Sequence, residues 1–179
     1  MEVMVLEEAG YKHSLYGISL SYNKGLENMD KVSKSLCKLD GGHNKFLEGM
    51  VVWIDINAPR YWWQEFDTYR VGVTKQSEST IHTLLKNKLT QDNFESDIPE
   101  EFLNCINVII NKYIGKSRIE MTKKIKNILP EGFLQRRIVC TNYKTLKNMI
   151  DQRKNHTLNN WKIFIDHLKN NLEHSDLIF

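Results

Sequence analysis

The chain has little of what builds linkers, covalent staples or membrane anchors. Three prolines and nine glycines in 179 residues are too few for long flexible connections, and no repeat or biased tract interrupts the sequence. The three cysteines, Cys37, Cys105 and Cys140, stand far apart, with no CxxC pair and no His/Cys cluster at metal-ligand spacing. This excludes a zinc-ribbon or disulfide-framework reading, and free thiols fit a reducing compartment. No apolar stretch approaches the roughly 20 residues of a membrane-spanning helix. The start, MEVMVLEEAGYKH, lacks the basic end and apolar centre of a secretory signal. A cytoplasmic protein without a membrane partner is expected.

What is present suits one globular domain over 1–179, with 41% hydrophobic and 26% charged residues. A formal charge of +3 is mild for a duplex binder but favours an anionic small molecule. The basic run KSRIEMTKKIKN lacks interleaved aromatics and reads as a solvated helix face, so no nucleic-acid polymer is expected as a partner.

Strand and short-helix signals come first and long helices follow, which predicts an α+β domain with a central antiparallel or mixed sheet. Met1–Leu6 reads as a short strand, and YGISLSY (16–22) suits either a strand or a helix end. Val32, Leu36 and Leu39 share a face of a short helix over 31–39, closed by the DGG turn at 40–42. MVVWIDI (50–56) is a buried strand, and Pro59 opens an aromatic helix as its first residue before YRVGVT returns to strand character. Asp97 is the expected cap of a helix burying Phe102, Cys105, Ile106, Ile109, Ile110 and Tyr113. Ser117 to Glu120 reads as a capping box for the next helix, which ends near Leu129. Leu146, Met149, Ile150 and Arg153 share one later helix face, and Trp161, Phe164, Ile165 and Leu168 another.

Three blocks then resemble the flavin-dependent thymidylate synthases. Gly42-His43, followed by Glu48 and an apolar strand, is similar to that family's Gly-His-Glu-Thr-Pro-Phe-Glu-His segment. APRYWWQEFDTYRVGVTKQSEST (58–80) aligns without gaps on its Ala-Pro helix, Arg-His-Arg and downstream Ser. LPEGFLQRRIVCTNYKTLKNMIDQR, from Leu129, resembles the family's Leu-Pro, Arg, Asn, Ser-Leu, Asn and Leu-Arg series. The departures are chemical. Arg-His-Arg reads Thr68-Tyr69-Arg70, the Ser falls on Glu78 with Ser77 and Ser79 flanking it, the next arginine becomes Thr80, and a Gln becomes Glu65. The last motif's Ala-Gln and Glu appear as Leu158-Asn159 and Trp161.

The resemblance implies a homotetramer that binds FAD and a deoxypyrimidine monophosphate. It also implies methylenetetrahydrofolate as one-carbon donor and NADPH as reductant. It places Arg136, Arg153, Glu65, Ser77, Glu78 and Ser79 toward the substrate, and His43, Thr68, Tyr69, Arg70, Gln76, Asn142 and Asn148 toward the flavin. No catalytic residue is assigned. A guanidinium fork suits phosphate and carbonyl oxygens, whereas Tyr69 supplies stacking and one hydroxyl but no cation near neutral pH. Lys75, Lys144 or Arg60 would have to replace the lost cations. The carboxylates at Glu65 and Glu78 only accept hydrogen bonds, which leaves open a cytosine nucleotide whose amino group donates, or a hydroxymethylating variant of the reaction. A fold relative that binds nucleotide, or only assembles, is the other reading. Asn142 as a helix cap, Arg153 as a helix C-terminal cation and the aromatic cluster as packing are the structural alternatives to these roles.

Overall fold

The computed structural model describes residues 1–84, 87–113 and 118–179. Strand β1 (Glu2–Ala9) leads into helices α1 (Tyr11–Tyr22) and α2 (Met29–Leu36) and a 3-10 turn, Lys45–Gly49. Strand β2 (Val51–Pro59), helix α3 (Arg60–Phe66), strand β3 (Thr74–Ser77) and the short helix α4 (Thr80–Thr83) follow. Helices α5 (Glu100–Tyr113) and α6 (Arg118–Ile128), strand β4 (Leu134–Asn142), and helices α7 (Tyr143–Arg153) and α8 (Asn159–Asn171) complete the described elements with two further 3-10 turns.

The strands form a sheet in the order β1-β2-β4-β3. Backbone bonds fix the direction of β4 against both neighbours. Tyr143 N–H donates to Met50 O near one end of the β2–β4 pair, and Tyr61 N–H to Glu131 O near the other. Glu78 N–H donates to Arg136 O, and the Thr141 hydroxyl to Gly72 O, so β3 also runs antiparallel to β4. The chain is therefore α+β with an antiparallel sheet.

The chain packs as two compact units. One comprises Met1, Asn57–Thr68 and Gln76–Arg137, the other Glu2–Ile56, Tyr69–Lys75 and Ile138–Phe179. In the first, Leu103, Ile106 and Ile110 of α5 pack with Ile125 and Leu129 and with the Phe94 and Phe133 rings. Trp62, Trp63 and Phe66 of α3 are buried in mutual contact. In the second, α8 packs on β1 and α7 and buries Trp161, Phe164 and Leu168, while α1 packs on α2 and the 3-10 turn. Each fully buried side chain of this size stabilises its unit by about 1.5–3 kcal/mol relative to exposure.

Residues 16–22, open between a strand and a helix end, form the end of α1, which starts at Tyr11 after Gly10 at φ +95°. A Cβ at Gly10 would sit 2.0 Å from Gly49 O, so glycine is required there by both conformation and space. The second helix spans 29–36, not 31–39. Pro59 is the extended residue before α3 and not its first residue. Strand character resumes only at Thr74, after a turn with Gly72 at φ +69°. Leu103 N–H bonds to Pro99 O, so α5 opens at Pro99 and not at Asp97. Its buried stripe is Leu103, Ile106 and Ile110, while Phe102 and Cys105 face solvent. Ser117 of the expected capping box and the Tyr113 side chain lie outside the described residues.

Candidate functional site

In the second unit, two loops converge on the first turn of α7. Asn142 caps that helix, its side chain accepting Thr145 N–H at 2.9 Å, which satisfies one of the amides left unpaired at a helix start. Thr145 Oγ1 donates to Val71 O at 3.3 Å and Thr141 Oγ1 to Gly72 O at 2.9 Å, so the Arg70–Gly72 turn is pinned to the helix start. Gly72 allows this approach, since a Cβ there would lie 2.5 Å from Thr145 Oγ1 and 2.8 Å from Asn142 Nδ2. From the other side Lys144 Nζ donates to Oδ1 of the buried Asn44, neighbour of His43. Tyr143 donates its buried hydroxyl to Glu8. Burial first, and the Glu8 carboxylate second, raise the phenol pKa, so it stays a protonated donor.

His43 is exposed at the rim of a groove of about 710 Å³. Ile18, Leu36 and Phe46 give it apolar lining, while His13, Lys45 and Glu48 supply polar groups. That volume and mixture suit a small-molecule site. Gly17 and Gly42 line it with open space where a Cβ would be, which keeps the wall low. His13, Gly17 and Ser21 recur every four residues. The sequence signal for this wall was therefore present once 16–22 is read as helix.

At the other end of α7 the aromatic ring of Tyr69 is buried, edge-on to Trp161 at 6.1 Å. Arg153 Nε donates to the Tyr69 hydroxyl at 2.9 Å and holds its guanidinium 4.9 Å from the Trp161 ring centre. Tyr69 Oη donates to Gln152 Oε1 at 3.0 Å. Gln152 was not foreseen as a participant, because 83 positions separate it from Tyr69. Asn148 is exposed on α7 and accepts from Gln152 Nε2 at 3.0 Å. Arg70 is exposed and makes no ion pair with another of the described residues.

The remaining candidates lie in the first unit. Thr68 is exposed and donates to Glu65 O at 2.7 Å, and Glu65 itself is half-buried. Gln76, Ser77, Glu78 and Ser79 are exposed along β3 and its exit, where Ser79 precedes α4 and its carbonyl accepts Thr83 Oγ1. Arg136 is exposed on β4 beside them, its carbonyl paired with Glu78 N–H. Its neighbour Arg137 contacts both Asp67 oxygens at 2.9 and 3.1 Å and stacks 4.3 Å from the Trp63 ring centre, which makes it structural. Arg60 is engaged by Leu129 O and Glu131, while Lys75, in the second unit, is half-buried. No group of three or more His, Cys, Asp or Glu among the described residues could hold a metal ion, and no helix among them is long and apolar enough to cross a membrane.

The fold is that of the flavin-dependent thymidylate synthases. A solved structure of thymidylate synthase X from Helicobacter pylori with FAD and dUMP matches with a TM-score of 0.79 and 16% identity, over 99% of this chain and 97% of that one. Another, of the flavin-dependent thymidylate synthase from the same organism with the same two ligands, gives 0.78 and 17%, over 99% and 98%. No family model and no curated protein matches the sequence.

Proposed function

We propose that this chain is a divergent enzyme of the flavin-dependent thymidylate synthase type, acting as one domain and assembling as a homotetramer. Its reaction would move the methylene of methylenetetrahydrofolate to C5 of dUMP, displacing the C5 proton, with NADPH supplying the reducing equivalents; dTMP, tetrahydrofolate and NADP⁺ result. FAD, when bound, supplies the redox step. The observation that carries this reading is a fold matched over 99% of the chain, together with the segments next to His43 and Arg70 bonded to the helix start that Asn142 caps.

The residues present fit a flavin. The groove beside His43 has an apolar wall for a planar ring system and a polar rim for its edges. His43 would pack against the ring, and Arg70 and Lys45 are exposed cations for phosphate oxygens. Asn142 retains its amide nitrogen as a donor while its oxygen caps α7. For a nucleotide, Arg136 would supply a guanidinium fork in the first unit, with Ser77 to Ser79 as the polar strand beside it, and Arg153 would supply one in the second unit. The chain's contribution is to bind, orient and keep water from the reacting carbon.

The test is an absorbance spectrum of the purified protein after incubation with FAD and desalting, with and without dUMP. Retained flavin bands that shift with dUMP, followed by dTMP formation from dUMP, methylenetetrahydrofolate and NADPH, are the expected result. A colourless protein would overturn this reading.

A further inference from the structure

Accepting that function, we propose that Tyr69 is a positioning residue that couples the nucleotide side of the site to the flavin side. Four side chains form one directed run of hydrogen bonds. Arg153 Nε donates to Tyr69 Oη at 2.9 Å, Tyr69 Oη donates to Gln152 Oε1 at 3.0 Å, and Gln152 Nε2 donates to Asn148 Oδ1 at 3.0 Å. The direction is fixed by chemistry. A guanidinium has no acceptor, so it must donate to the phenol oxygen, and the phenol proton is left to go to the glutamine carbonyl. The glutamine amide then turns its nitrogen toward Asn148, and Asn148 turns its own nitrogen away from Gln152.

Asn148 is exposed, so the run presents an N–H donor from that residue to a ligand acceptor such as a carbonyl oxygen or ring nitrogen. At the other end, the bond through Nε and the face of Trp161 hold Arg153 in one orientation. Tyr69 is 8% exposed and sits edge-on to the same indole, so its hydroxyl has little freedom to leave the run. The phenol both accepts and donates, and the indole face of Trp161 receives the guanidinium.

The test measures dUMP affinity by calorimetry on the full chain, free and FAD-loaded, for the wild type, Tyr69→Phe and Gln152→Leu. In the wild type FAD is expected to tighten dUMP binding by about tenfold, within the usual range of coupling between sites. Both variants should bring that ratio close to one, with Gln152→Leu still binding each ligand alone. Gln152 is exposed on α7, so Gln152→Leu retains the fold if Tyr69→Phe does not. Persistence of the ratio in a folded variant, or a wild type that binds both ligands without coupling, overturns the inference and leaves the proposed function standing. A wild type that binds neither ligand overturns both.

Discussion

The two ends of the resemblance differ in what their side chains do. Around α7 the family-like residues are already occupied within the protein: Asn142 caps a helix, and Arg153 is tied to Tyr69 and Trp161. Along β3 and its exit, Gln76, Ser77, Glu78 and Ser79 are exposed, and here the resemblance sets Glu78, flanked by Ser77 and Ser79, and Thr80 against the family's serine and arginine. The residues at the first place therefore have an explanation in folding alone, and the exposed side chains at the second contribute little to the fold. Tyr69 and Arg70 cross the pattern, the first altered yet buried, the second retained yet exposed. Those two carry more information about ligands than the residues that follow the pattern.

The largest test of this contrast is Trp161→Ala. The indole is fully buried and backs Arg153, so its removal should cost about 3–5 kcal/mol in urea unfolding. A loss below about 1 kcal/mol would mean that the α7–α8 packing does not hold the arginine.

Asn142→Ala should cost about 1 kcal/mol through the lost cap, and Asn142→Ser should recover most of it. Flavin retention separates the two roles. If Asn142→Ser restores stability but not flavin retention, the amide has a ligand as well as a helix to serve. Recovery of both would reduce Asn142 to a cap.

Glu78→Ser should move stability by no more than about 0.5 kcal/mol, because the side chain is exposed and its pairing with β4 runs through the backbone. In the proposed site it should tighten dUMP binding several-fold by replacing an acceptor-only carboxylate with a hydroxyl. Unchanged dUMP affinity would remove β3 from the substrate side.

Much of this was legible because it is local. β-Branched and aromatic density marked β2, 3.6-residue spacing marked the buried faces of α7 and α8, and Thr-Asn-Tyr marked the cap at Asn142. The face of α5 was placed one step around the helix, since Phe102 and Leu103 both continue an apolar stripe and only packing chooses between them. Residues 16–22 fit two periods at once, and Gly10 settled the matter from outside that window. The bonds joining Lys144 to Asn44 and Tyr69 to Gln152 span 100 and 83 positions, beyond the reach of any pattern. The departures from the signature were visible in sequence. That one of them sits inside a hydrogen-bonded run was not.

Glu8 gives the second unit a timetable. One of its oxygens accepts from the Tyr143 hydroxyl and the other from Glu173 N–H, 135 and 165 positions away. At roughly 5–20 residues per second, a ribosome that has made residue 8 needs on the order of ten seconds more to make residue 173. During that interval β1, first in chain order and at the margin of the sheet, lacks both partners of this carboxylate, and β4 is not there to complete the sheet beside β2. An incomplete strand edge pairs readily with other chains. The nascent protein should therefore depend on a holding chaperone until its C-terminal helices have emerged, whatever the finished fold binds.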